Sequence, residues 1–186
     1  MIILVSGLLL FFIPHVLREL KLRQLVIDSL PSEGAYKGVY SLVALAGLAL
    51  IIWGKSSASF IMIWQPVYEL RFISQVLMIP AMILVVDGNL PMSFMRKNLR
   101  NPMLLGVFFW SLAHLWSNGD LASMLLFGSF AIWSGMKFTL LGLSAGQSEK
   151  PASFLWDIIA LVGGLILYAV ISIFHGQLFG VGLELV

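Results

Sequence analysis

The sequence predicts an all-α integral membrane protein, a bundle of about six transmembrane helices in a single domain over residues 1–186. Composition is the first observation behind that prediction. Of 186 residues, 60% are hydrophobic and 11% are charged, against about 45–50% and about 25% in soluble domains. The mean hydropathy of +0.98 is the second. A chain this apolar cannot cover itself with polar surface, so its natural solvent is lipid. The third is that the apolar residues gather into six segments whose connecting links carry the charge.

The segments run over residues 2–17, 38–53, 72–86, 102–116, 121–142 and 154–174. Several are shorter than the ~20 residues of a straight span, so snorkelling flanks and buried polar positions must make up the length. The first has no basic stretch before it and no small-residue cleavage site after it, unlike a cleavable signal peptide. Arg18, Lys21 and Arg23 follow it instead. The fourth and fifth are joined by Ser117-Asn118-Gly119-Asp120. Asn-Gly is a turn signal and Asp120 stands where an N-cap belongs, which makes these two helices antiparallel neighbours.

Basic residues set the expected orientation. With six spans, one side holds Arg18, Lys21, Arg23, Lys37, Arg96, Lys97, Arg100, Lys137 and Lys150, and the other holds Lys55 and Arg71. That bias predicts both termini on the non-cytoplasmic side of the membrane. Trp53, Trp64, Tyr68 and Trp116 then fall in the outer aromatic belt, with Tyr36 and Tyr40 in the inner one. Ser41, Gly47, Gly106, Gly128, Ser129, Gly135, Gly163 and Gly164 are expected where helices approach closely.

Several chemistries are excluded. The chain has no cysteine, which removes disulfides, iron–sulfur clusters, thiolate zinc sites and covalently attached haem. A net charge of +2 is too small to imply a nucleic-acid partner. Phosphate-loop, serine-elbow and H-E-x-x-H patterns are absent from the sequence. Ionisable residues at membrane depth are therefore the candidates for function. Lys137 and Asp157 fall near the inner interface, as solvated or mutually paired charges. His175 falls at the outer interface, where it meets water or headgroups.

His15 and His114 lie deeper. Helical rise puts His15 roughly 20 Å from the outer face and His114 about 12 Å from it, in a core of ~30 Å. Two imidazoles at such depths on adjacent helices suit either of two roles. They can ligate one haem iron from opposite faces, or each can simply hydrogen-bond a neighbouring helix.

Three stretches carry a family resemblance. They are Pro14-His15-Val16-Leu17-Arg18, then Gly34-Ala35-Tyr36-Lys37-Gly38-Val39-Tyr40-Ser41, and then the run from Arg100-Asn101-Pro102-Met103 through Gly106, Trp110 and His114 to Asn118-Gly119-Asp120-Leu121-Ala122-Ser123 and Leu125-Leu126-Phe127-Gly128-Ser129. Together they resemble the NnrU family, membrane proteins associated with nitrite and nitric oxide reduction. That family is similar to the plastid cis-zeta-carotene isomerase, whose b-type haem is held by two histidines. The resemblance implies haem b as cofactor, with His15 and His114 as its metal ligands. It also implies a lipophilic polyene substrate or a redox activity. Arg18, one turn beyond His15, is spaced to pair a haem propionate. An alternative is a non-enzymatic accessory factor for denitrification, working with a membrane partner protein. The chain departs from its relatives at Asn101, where they usually carry histidine. Asn101 is neither an imidazole ligand nor a proton carrier, which weakens any transfer of the isomerase activity.

Overall fold

The computed structural model describes residues 1–144, 150–180 and 183. Eight α-helices run in order: α1 (Ile2–Val16), α2 (Arg23–Asp28), α3 (Glu33–Ser56), α4 (Phe72–Asn89), α5 (Phe94–Leu99), α6 (Pro102–Ser117), α7 (Leu121–Ser144) and α8 (Phe154–Phe179). Six of them coincide with the six apolar segments. Among the described residues, extended pairing is limited to one isolated bridge, Met62 with Asp120. Among the described residues, four helical segments are long and apolar enough to cross a membrane: Glu33–Ser56, Tyr68–Asn89, Leu121–Leu140 and Phe154–Phe179. α1 and α6 are apolar but shorter, at 15 and 16 residues. The chain is an all-α integral membrane protein.

The helices fall into two compact units, Met1–Ile63 with Asp120–Leu126, and Trp64–Gly119 with Phe127–Val186. The first unit is built on α1 against α3. α3 starts on Ser32, whose hydroxyl accepts the Ala35 amide at 3.1 Å. Glu33 in its first turn suits the positive end of the helix dipole and lies 3.6 Å from Arg23 and 3.5 Å from Lys37. The α1–α3 contact runs through glycine. A methyl group on Gly7 would stand 2.6 Å from the Ile51 nitrogen, and one on Gly47 would stand 2.6 Å from the Phe11 nitrogen. One on Gly54 would overlap the Leu4 backbone. The partners fall in number along α1 as they rise along α3, so the helices are antiparallel with their backbones touching. Lipid gives apolar helices no hydrophobic reason to associate, and close small-residue packing supplies one.

The second unit packs α6 and α8 on α4 by the same device. A side chain on Gly88 would meet the Met103 backbone at 2.8 Å, and one on Gly106 the Ala81 carbonyl at 2.8 Å. One on Gly164 would lie 2.5 Å from the Ile83 Cα. α6 and the later part of α7 meet differently, through rings: Trp110 on Phe127 at 5.0 Å and on Phe130 at 5.7 Å. The antiparallel pair expected from the Asn118-Gly119-Asp120 link is present.

Three small residues do not behave as expected. A side chain on Gly128 would meet nothing within 4 Å, and one on Gly163 only makes ordinary contact with Val86. Ser41 is exposed. Composition marks small residues but not the face each one turns to a neighbour.

Candidate functional site

His15 sits in the last turn of α1, after Pro14. Its Nδ1 lies 2.6 Å from the Phe11 carbonyl, four residues back. The ring stacks on Phe11 at 4.4 Å with 21° between planes, and Tyr40 of α3 stands 5.2 Å away. His114 sits in the last turn of α6. Its Nδ1 lies 2.8 Å from the Trp110 carbonyl, again four residues back. Its ring stacks on Phe127 at 4.4 Å and 26°, with Trp110 at 5.1 Å. Both are partly buried.

A carbonyl oxygen only accepts, so each Nδ1 must carry the proton. That fixes the tautomer and puts the ring's lone pair on Nε2. A histidine whose Nδ1–H is held by a carbonyl and whose ring is held by a stack has the form of a metal ligand with its outer support in place. No group of three or more His, Asp or Glu suited to a metal ion occurs among the described residues. A bare ion wanting several protein ligands finds no such set. A tetrapyrrole brings its four in-plane nitrogens and asks the protein for one or two axial imidazoles. Each histidine, taken separately, fits that demand.

Arg18 is exposed in the turn that follows α1, one turn beyond His15. Asn101 has a local role, for its side chain caps α6 by accepting the Leu104 amide at 3.3 Å, with Pro102 as the first helical residue. His175 is half-buried in α8 and lies 4.9 Å from Phe179.

Asp157, expected as a solvated or paired interface charge, is engaged with a helix start. Asp157 accepts the Phe94 and Met95 amides at 3.0 and 2.8 Å, capping α5 across a separation of more than sixty residues. The Lys137 ammonium lies over the Trp133 ring at 5.4 Å. The start of α5 offers the carboxylate two backbone donors that have no partner within the helix.

A second polar cluster is not signalled by any motif. Lys55, at the end of α3, donates to Asp120 Oδ1 at 2.9 Å and to the Ser123 hydroxyl at 2.7 Å. The Ser123 hydroxyl donates in turn to Asp120 Oδ2 at 2.5 Å, and its amide donates to Oδ1 at 2.9 Å. Asp120 is therefore the N-cap the sequence predicts, and also an ion-pair partner. Burial alone would raise its carboxyl, but hydrogen bonds from Ser123 and Lys55 outweigh that and hold it below the usual carboxylate range. The Ser123 hydroxyl accepts from Lys55 and gives its own proton to Asp120, so this triad is a clamp rather than a Ser-Lys nucleophile. Asp120 and Ser123 share one helix start, yet no local spacing joins Lys55 to them.

A family model described as NnrU protein matches residues 3–183. No curated protein and no solved structure matches the chain.

Proposed function

The chain belongs to the NnrU family, and on that premise we propose that it binds haem b, which Nε2 of His15 and Nε2 of His114 would hold. The observation that carries the reading is the repeated local geometry: two histidines on different helices, each with Nδ1–H on the carbonyl four residues back and each stacked on a phenylalanine. Arg18 would pair a propionate at the membrane edge. Haem b held in this way would supply one-electron redox chemistry or a Lewis-acidic iron. The chain's own part is to orient the imidazoles, keep their lone pairs on Nε2 and surround the group with apolar side chains. The substrate class that reaches such a protein through the bilayer is a lipophilic polyene. The site of action is a bacterial inner membrane with both termini on the non-cytoplasmic side.

A second reading is a membrane accessory factor for nitrite and nitric oxide respiration, acting with a membrane partner protein. Asn101 favours it, because the residue that stands where relatives carry histidine is here spent on a helix cap. A deletion strain that reduces nitrite and nitric oxide normally overturns it.

The test of haem binding is an absorption spectrum of the detergent-purified protein, oxidised and then reduced with dithionite. Low-spin six-coordinate haem gives a Soret band with sharp reduced α and β bands, and His15→Ala and His114→Ala should each lose the pigment. A colourless protein after haem is supplied during expression, or unchanged haem content in either variant, overturns the assignment.

A further inference from the structure

The segment after α3 is an anomaly of solvent. Phe60, Ile61, Met62 and Ile63 are four consecutive large apolar residues, 73%, 45%, 56% and 53% exposed. They lie on a non-helical stretch, and all four are exposed. In water this would be a contiguous apolar surface with nothing to cover it. In the hydrocarbon core it would be worse, because the backbone has no i→i−4 ladder to absorb its amides and carbonyls. The stretch is nevertheless fixed in place. The Ile61 carbonyl accepts the Leu121 amide at 2.8 Å, and Met62 makes an isolated bridge with Asp120.

One environment satisfies both demands. At the boundary between headgroups and acyl chains, apolar side chains can enter lipid while the backbone stays hydrated. The neighbours on α3 agree with that depth. Trp53 is 60% exposed, as residues of an aromatic belt are. Lys55 lies two residues on, a cation of the kind found at headgroup level. We infer that residues 58–63 are an interfacial anchor, seated in the lipid leaflet at the Lys55 end of α3. Through the Ile61–Leu121 bond the anchor also sets the depth at which α7 begins. The inference does not depend on haem binding.

Because the chain has no cysteine, single-cysteine variants can be spin-labelled without background. Phe60→Cys and Met62→Cys would be labelled in lipid nanodiscs, with Ser59→Cys as a third position should either fail to fold. Collision with oxygen, which concentrates in lipid, is compared with collision with a water-soluble nickel chelate. Ile52→Cys, 64% exposed on α3, is the lipid reference, and the exposed Asn98→Cys is the water reference. Labels at 60 and 62 should give oxygen-to-nickel ratios severalfold above position 98 and severalfold below position 52. Ratios equal to those at position 98 would place the segment in water, as a surface for a protein partner. Ratios equal to those at position 52 would place it in the hydrocarbon core. Either result overturns the anchor.

Discussion

Two aspartates are buried in this protein, and they are buried in opposite ways. Asp120 is 9% exposed and Asp87 is 0% exposed. Asp120 opens α7, where the helix dipole favours a negative charge, and it accepts from Lys55, the Ser123 hydroxyl and the Ser123 amide. Asp87 lies in the last turn of α4, where the dipole disfavours one. Ser93 and Arg96 are the favourable groups near Asp87, and Asp157 is an unfavourable one. Neither carboxylate oxygen makes a hydrogen bond with a described residue. The Ser93 hydroxyl accepts from the Arg96 amide, and the Arg96 guanidinium donates to the Leu90 carbonyl. Burial of an acid therefore says little about its value to the fold. What matters is whether the fold was built to receive the charge.

The largest expected effect is at Asp120. Asp120→Ala removes the α7 cap and leaves Lys55 facing the Ser123 hydroxyl alone, at a cost of roughly 2–3 kcal/mol. Thermal unfolding in detergent, followed by helical circular dichroism, should show a clear fall in midpoint. An unchanged midpoint would mean the clamp is ornamental.

Lys55→Met keeps the aliphatic stem and removes the charge. The lysine side chain is about one-third exposed, so the loss is discounted for screening to about 1–2 kcal/mol. This variant also changes the acid response. The folded-state value of Asp120 is depressed, so its contribution is fully present above the unfolded value near 4 and is lost as pH falls through the folded value. Wild-type stability should hold from neutrality down to about pH 4 and decline below it, as far as this group governs it. In Lys55→Met the folded value moves up toward the unfolded one, so the decline below about pH 4 should be shallower than in wild type, and coincident acid limbs would show that Lys55 does not hold the carboxyl.

The smallest effect should come from Asp87→Asn. The substitution is close to isosteric and removes a charge that accepts no hydrogen bond from a described residue, so stability should stay within about 1 kcal/mol of wild type or rise. A loss as large as that of Asp120→Ala would erase the contrast and mark Asp87 as a group the fold requires ionised.

Local physics made much of this legible in advance. Six runs of apolar residues became six helices because hydropathy and helical length are properties of a single segment. The Asn118-Gly119 turn and the Asp120 cap were readable for the same reason, since an N-cap looks only three residues ahead, here to Ser123. His15 and His114 stood out because an imidazole at membrane depth is costly wherever its helix goes, and the carbonyl four residues back that holds each Nδ1 is also local.

The tertiary structure alone decided the rest. It brought Lys55 to Asp120 across 65 positions and Asp157 to the Phe94 amide across 63. It also made Gly54 and Gly88 points of backbone contact while leaving Gly128 clear of its neighbours. Hydropathy places a helix in lipid, but it does not say which face meets which neighbour. In lipid that choice rests on close approach and polar pairing, and both are properties of two segments together.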